Sequence, residues 1–255
     1  MATPGNEATD FFCNPFLFKD IHTIFKIFSL DMHEFLVEFH DLDEKAFIDT
    51  LPTLAYFELP IYSIDREIES CRHVDLADCE RQGLEELGRI GLNDSSLNRC
   101  ASKMHADIDK CITLSRKSVQ TSADIIEYTK LKTADLAFLR HLSLTLNEIP
   151  PQQCHMEFFK HIDFIREFFD DIQDYHEDGP SDCNCVKRLS NLLGNPFEIK
   201  EAISGEIRRD MAVATSLAAS MEDPEKRSRA QTILEKIEKE TFENMKKLDK
   251  ILGTG

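Results

Sequence analysis

The chain has no tryptophan, and glycine and proline number only nine each in 255 residues. With breakers this scarce, and with no long stretch in which strand-favouring residues alternate, an extended β-sheet is not expected. No run of about 18 or more apolar residues occurs, so no membrane-spanning helix is expected. The opening residues, MATPGNEATDFF, lack the basic and apolar regions of a signal peptide, which leaves the cytoplasm as the expected location. Cations are also in short supply: 30 Lys and Arg stand against 47 Asp and Glu, a net charge of -17. Such a surface repels phosphate backbones and anionic lipid headgroups, so nucleic acid is not an expected partner. The eight cysteines include no pair of CxxC motifs, and only Cys183 and Cys185 lie close together. Scattered reduced thiols are the expectation, and a soft-metal site at Cys183 and Cys185 beside His176 is the alternative.

What is present is helical periodicity. Leu, Ile, Phe, Glu and Lys recur at three- and four-residue spacings, and 42% hydrophobic content suffices for a sizeable core. The expected fold class is all-α, with residues 1–12 disordered and 13–255 forming a single helical domain without repeats or long linkers. Helical patterning runs from near Pro15 to a break at HDLDEK. Next comes the apolar run AFIDTLPTLAYFELPIYSIDREIES, where Pro52 and Pro60 predict a helix that starts late or kinks. Further helices are expected near 76–90, 95–119, 121–146, 153–178, 196–221 and 224–252. In the last, Ile233, Ile237, Met245, Leu248 and Leu252 form one apolar stripe, the mark of a packing helix.

The stretch FFDDIQDYHED, residues 168–178, poses the functional question. On a helical wheel Phe164, Ile165, Phe168, Phe169, Ile172 and Tyr175 share an arc of about 140°, and Asp163, Glu167, Asp170, Asp171, Asp174, Glu177 and Asp178 share an opposite arc of about 120°. Only Arg166 lies at the margin of that acidic arc. The plain reading is a solvated polar face. The sharper reading is that aspartates in DDxxD spacing, projecting side by side from one face, bind a hard divalent ion. Mg²⁺ suits this pattern, because it takes one or two carboxylates, keeps waters and completes its shell with phosphate oxygens.

FIREFFDDIQDYHEDGPSDCN resembles the second aspartate-rich motif of the trans-isoprenyl diphosphate synthase and class I terpene synthase superfamily. IIEYTKLKTADLAFL, upstream, resembles that superfamily's Lys-Thr helix motif at about the usual interval. The equivalent of the first aspartate-rich motif is LPIYSIDREIES, with Asp65 and Glu69 at i,i+4 and Ile64 where a leading aspartate is expected. Within the superfamily, the short chain and the DDxxDY form are most similar to the small prenyltransferases of the moenomycin-pathway type. The resemblance spans roughly residues 33–215, with specific matches in three short segments.

The resemblance implies an antiparallel helical bundle around a deep apolar cavity, the class I isoprenoid synthase fold, and a possible homodimer. It implies Mg²⁺ held by Asp65, Glu69, Asp170, Asp171 and Asp174, and an isoprenyl diphosphate held by Lys132 and Thr133 with Lys187, Arg188 and Arg72. Asp170, Asp171 and Lys132 would carry the ionisation. The GKR segment and paired arginines of chain-elongating members are missing. The expected activity is therefore a terpene synthase that cyclises or deprotonates the carbocation, with transfer of the prenyl group to another acceptor as the alternative. A helical subunit of the same fold without catalysis is the third reading. His40 and Asp41, with His33 upstream, offer a metal-dependent phosphohydrolase pattern without further ordered ligands. The paired ExxH motif of ferritin-like di-iron proteins is absent.

Overall fold

In the computed structural model, residues 24–69, 75–92, 94–118, 120–176 and 184–254 are described, without the side chains of residues 63 and 65–69. These residues form an all-helical body with no strand among them. A first helical segment, α1 (24–39), winds largely as π-helix through Phe28–Met32 and Glu34–Phe39. Nine α-helices follow: α2 (Glu44–Glu69), α3 (Leu76–Arg89), α4 (Ser95–Ser115), α5 (Ser122–Leu131), α6 (Ala134–Leu146), α7 (Gln153–Gln173), α8 (Cys185–Leu193), α9 (Pro196–Ser220) and α10 (Pro224–Leu252). No helix among the described residues is long and apolar enough to cross a membrane.

The boundaries follow local chemistry. Asp94, Asn184, Asn195 and Asp223 each accept backbone N–H groups at a helix start, and Thr121 and Asp124 form a reciprocal capping box, satisfying donors that have no partner within the helix. Gly194, at φ 63°, ends α8 in the left-handed conformation that glycine adopts without steric cost.

Contrary to the expected late start, α2 begins at Glu44 and runs through Pro52 and Pro60. Each proline deprives the carbonyl four residues back of its donor. Those carbonyls belong to Ile48 and Tyr56, which are 59% and 48% exposed, so water can take the donor's place. The expected 121–146 helix is divided at Lys132 and Thr133, and α8 was not foreseen at all.

The core centres on α7, which packs most extensively on α9 and also meets α5, α6, α8 and α10. Phe35, Phe39, Phe158 and Phe159 are fully buried. Their edge-on ring contacts, 4.9 Å for Phe35–Phe159, 5.1 Å for Phe39–Phe159 and 5.2 Å for Phe158–Phe159, are the arrangement favoured by ring quadrupoles. Ile165, Phe168, Phe169 and Ile172 are buried as the wheel predicts, and Ile233, Ile237 and Leu248 bury the apolar stripe of α10. The expected frayed start, residues 1–12, lies outside the described residues.

Candidate functional site

The Lys-Thr and DDxxD segments meet in space. The Thr133 hydroxyl donates to the Lys130 carbonyl at 2.9 Å, offering the backbone a bond that competes with the helical ladder, and α5 gives way to α6 at this point. Lys132 thus occupies a helix junction. Its ammonium pairs with the carboxylate of Glu167 and donates to Asp171 Oδ1 at 3.1 Å, across 39 positions of sequence.

Asp171 is only 5% exposed. Its Oδ2 accepts the backbone N–H of Cys185 at 2.9 Å, and its carbonyl accepts the Asn184 side-chain amide at 2.6 Å. One carboxylate therefore anchors Lys132 and the positive end of α8 together. Just along α8, the Arg188 guanidinium lies over the Tyr128 ring at 4.3 Å, and the Lys187 ammonium lies over Tyr175 at 5.4 Å.

The electrostatics of this cluster follow from burial and charge. Burial, the largest influence, works against the charged form of Lys132, yet the Glu167 and Asp171 carboxylates outweigh it and hold the amine well above the usual lysine range. Glu167 is pushed up to about 7, first by burial and then by Asp171 and Asp170, with Lys132 pulling the other way. Both directions fit one arrangement: the lysine keeps its charge, and Glu167 takes up a proton as the pH falls towards neutrality. Both groups are partly buried: 28% of the Lys132 side chain and 17% of the Glu167 side chain are accessible.

The remaining aspartates of the motif point to water. Asp170 accepts Lys26 Nζ at 3.2 Å, and both side chains are about half exposed. Asp174 is exposed and closes α7, its N–H donating to the Asp170 carbonyl at 2.9 Å. As a donor set, these two carboxylates suit a hydrated Mg²⁺, which needs only one or two. Asp171 does not turn with them, since its two oxygens face Lys132 and Cys185. Asp65 and Glu69 belong to the last turn of α2, but their side chains lie outside the described residues, as does Arg72. Among the described residues, no three His, Cys, Asp or Glu side chains gather as a metal-binding group.

The other sequence candidates are accounted for separately. Cys185 is a fully buried free thiol, which burial pushes up to about 12, whereas His176 is exposed. Cys183 lies outside the described residues. Asp41 pairs with Arg229 at 3.0 Å and His33 with Glu44 at 3.1 Å, while His40 contacts the rings of Phe35, Phe39 and His155. A hollow of about 560 Å³ between α3 and α4 is lined by Asp75, Glu80, His105 and Asp109, among others, and by none of the Lys132 cluster.

Sequence reasoning missed charged groups buried in the interior. Arg140 and Asp163, 1% and 2% exposed, form a two-pronged ion pair, with the guanidinium over the rings of Phe159 and Phe35 at 5.0 and 5.3 Å. Glu58, on α2, is also buried with no exposed surface. A spacing signal was available: Glu58 precedes Asp65, and Asp163 precedes Asp170, by about two helical turns, which sets each pair along one helix face. No protein-family model matches this chain, and neither does any curated protein or solved structure.

Proposed function

We propose that the site at Lys132 binds the diphosphate of an isoprenyl diphosphate and that the protein is a Mg²⁺-dependent class I terpene synthase. In the alternative form of this reading, the prenyl group passes to an acceptor instead of cyclising or losing a proton. The observation that carries the reading is the Lys132–Asp171 ion pair, which joins the Lys-Thr and DDxxD segments through a single contact. Asp170 and Asp174 would hold Mg²⁺ beside this site, with Asp65 and Glu69 as the partners expected from α2. Bound there, the ion would offset the negative charge that builds on a departing diphosphate.

The chain's own cations have matching work. Lys132 is charged, positioned and partly accessible, so a diphosphate oxygen can take over one of its carboxylate contacts and gain a charge-assisted hydrogen bond. Arg188 and Lys187 stand on the first turn of α8 beside the carboxylate that orients Lys132, and Arg72 and Thr133 complete the proposed anion-binding set. A fixed ammonium and guanidinium stabilise charge on the leaving oxygens without reorganising as the bond breaks. The reading also carries with it an apolar chamber for the prenyl tail and a homodimer.

The test is to incubate the protein with Mg²⁺ and geranyl, farnesyl or geranylgeranyl diphosphate, and to measure released diphosphate and extracted hydrocarbons. Release with hydrocarbon product supports the synthase, and release only after an acceptor is added supports the transferase. Absence of both turnover and Mg²⁺-dependent binding of all three compounds would refute the reading. A non-catalytic helical subunit is the second reading. The specific observation in its favour is that both Asp171 oxygens are already engaged, by Lys132 and by the Cys185 N–H.

A further inference from the structure

Two carboxylates hold the Lys132 ammonium, and they are not equally free to leave it. Glu167 and Asp171 stand four residues apart on α7, so both project from one face towards the same lysine. Asp171 has further duties. While its Oδ1 takes the Lys132 ammonium at 3.1 Å, its Oδ2 accepts the Cys185 N–H at 2.9 Å and its backbone carbonyl accepts the Asn184 amide at 2.6 Å. Turning that side chain away would leave a buried backbone donor at the start of α8 without its acceptor, which is costly. Glu167 has no such tie to α8. Among the described residues its one ion-pair partner is Lys132, and its side chain is 17% accessible against 6% for Asp171.

An anion that arrives at Lys132 therefore meets a cation already answered twice. The ammonium has three donors, but an anion on the third alone would lie beside two like charges, which oppose its entry. Exchange for one of the carboxylates relieves that repulsion and leaves the anion a charge-assisted hydrogen bond. The carboxylate that can be exchanged is Glu167, because its accessible surface lets it turn to water and no backbone donor loses its acceptor when it goes.

We propose that Glu167 is a built-in competitor for the anion position at Lys132: the diphosphate takes over the ammonium contact that Glu167 makes, while Asp171 keeps the lysine in place. The inference rests on the isoprenyl diphosphate reading of the site and goes beyond it in naming the group that yields to the ligand. Only molecules with Glu167 turned away are competent to bind, so the apparent affinity is the intrinsic one multiplied by the fraction in that state. The same exchange run backwards assists release of diphosphate once the C–O bond has broken, since Glu167 returns to the ammonium as the anion leaves.

Glu167→Gln tests this, because the amide keeps the side chain's size and an oxygen that can accept from Lys132, and removes only the charge. Binding of inorganic diphosphate in the presence of Mg²⁺ is measured by calorimetry at pH 8 on the full chain. The variant is expected to bind about tenfold more tightly than the wild type, the gain from removing a competitor that holds the site in about nine-tenths of the molecules. Farnesyl diphosphate should show the same gain, since the competition lies at the shared diphosphate group. An independent readout is the carboxyl carbon NMR signal of Glu167, assigned by its loss in the variant and expected to shift when the wild type is saturated with diphosphate. Binding by the variant alone supports the proposal as well, with a stronger competitor. Wild-type binding that the variant does not tighten overturns the proposal alone, as does a Glu167 signal that stays in place or a gain confined to one of the two ligands. No binding of either ligand by wild type or variant overturns the reading of the site and the role of Glu167 with it.

Discussion

Replacing Lys132 by methionine separates a lysine that merely balances charge from one poised for an anion. The substitution keeps much of the aliphatic stem and removes the ammonium between Glu167 and Asp171. At 3.1 Å from Asp171, a unit charge pair is worth about 5 kcal/mol at an effective dielectric constant near 20. Breaking a fully buried pair costs roughly 3–5 kcal/mol. Because 28% of the Lys132 side chain is accessible, solvent screening reduces the expected loss to about 2–4 kcal/mol. The loss must depend on pH. Glu167 titrates near 7 even with the lysine present, and losing the cation raises that value further, so the variant binds a proton more readily than the wild type. Its deficit is therefore greatest above pH 8 and shrinks as pH falls towards 5. Urea unfolding at pH 8 and pH 5 measures both deficits, and diphosphate release at pH 8 supplies the functional reading. A deficit below about 1 kcal/mol at pH 8, or an equal deficit at the two pH values, refutes the charge arrangement argued for Lys132.

Two other perturbations address the interior. Arg140→Met leaves Asp163 buried without its cation and is expected to cost about 3–5 kcal/mol in urea unfolding, whereas Arg140→Met combined with Asp163→Leu should recover most of that loss; failure of the double variant to recover would assign the pair more than charge compensation. His40, in contact with His155, Phe35 and Phe39, is held down to about 3, first by burial and then by Lys226, His155 and Arg229. The folded state therefore binds fewer protons than the unfolded state between about pH 6.5 and 3. Stability should fall with acidification through that window, by up to about 1.4 kcal/mol per pH unit from this one group. His40→Phe should flatten the slope, as measured by unfolding at pH 7, 6 and 5, and an unchanged slope would contradict the assignment.

Periodicity made the helices legible, because most of their apolar stripes face one shared core. It failed where a local bond or charge decided the outcome. The helix expected over 121–146 divides at Lys132 and Thr133, where the Thr133 hydroxyl bonds the Lys130 carbonyl, and neither glycine nor proline marks that place. α7 stops at Gln173 rather than 178. Asp170, Asp171 and Asp174 crowd negative charge onto the negative end of the helix dipole, so continuing the helix is opposed. For α8 the signals were present in Asn184 and Gly194, cap and stop, but nine residues are too few for a clear stripe. Arg140 and Glu58 were hidden because each interrupts an apolar run only once, and sequence alone does not reveal which partner meets it across the core.

The acidic arc of α7 itself shows which part of the functional question was legible. The seven carboxylates expected on one arc over 163–178 lack local cations, and that shortage suggested a metal; Glu177 and Asp178 lie outside the described residues. The fold answers much of it with lysine and arginine from elsewhere: Arg140 meets Asp163, Lys132 meets Glu167 and Asp171, and Lys26 meets Asp170. The inner two turns of the arc are therefore largely compensated by the protein and are not a reservoir of free ligands. Compensation weakens outward, because the Lys26–Asp170 pair is half exposed and worth at most about 1 kcal/mol. An entering divalent ion would need to displace only that lysine to reach Asp170 and Asp174, whereas reaching Asp171 would require releasing Lys132 and the start of α8 as well. The physics thus divides the DDxxD segment into two parts: its outer aspartates face water, and its middle one fixes Lys132 and the start of α8.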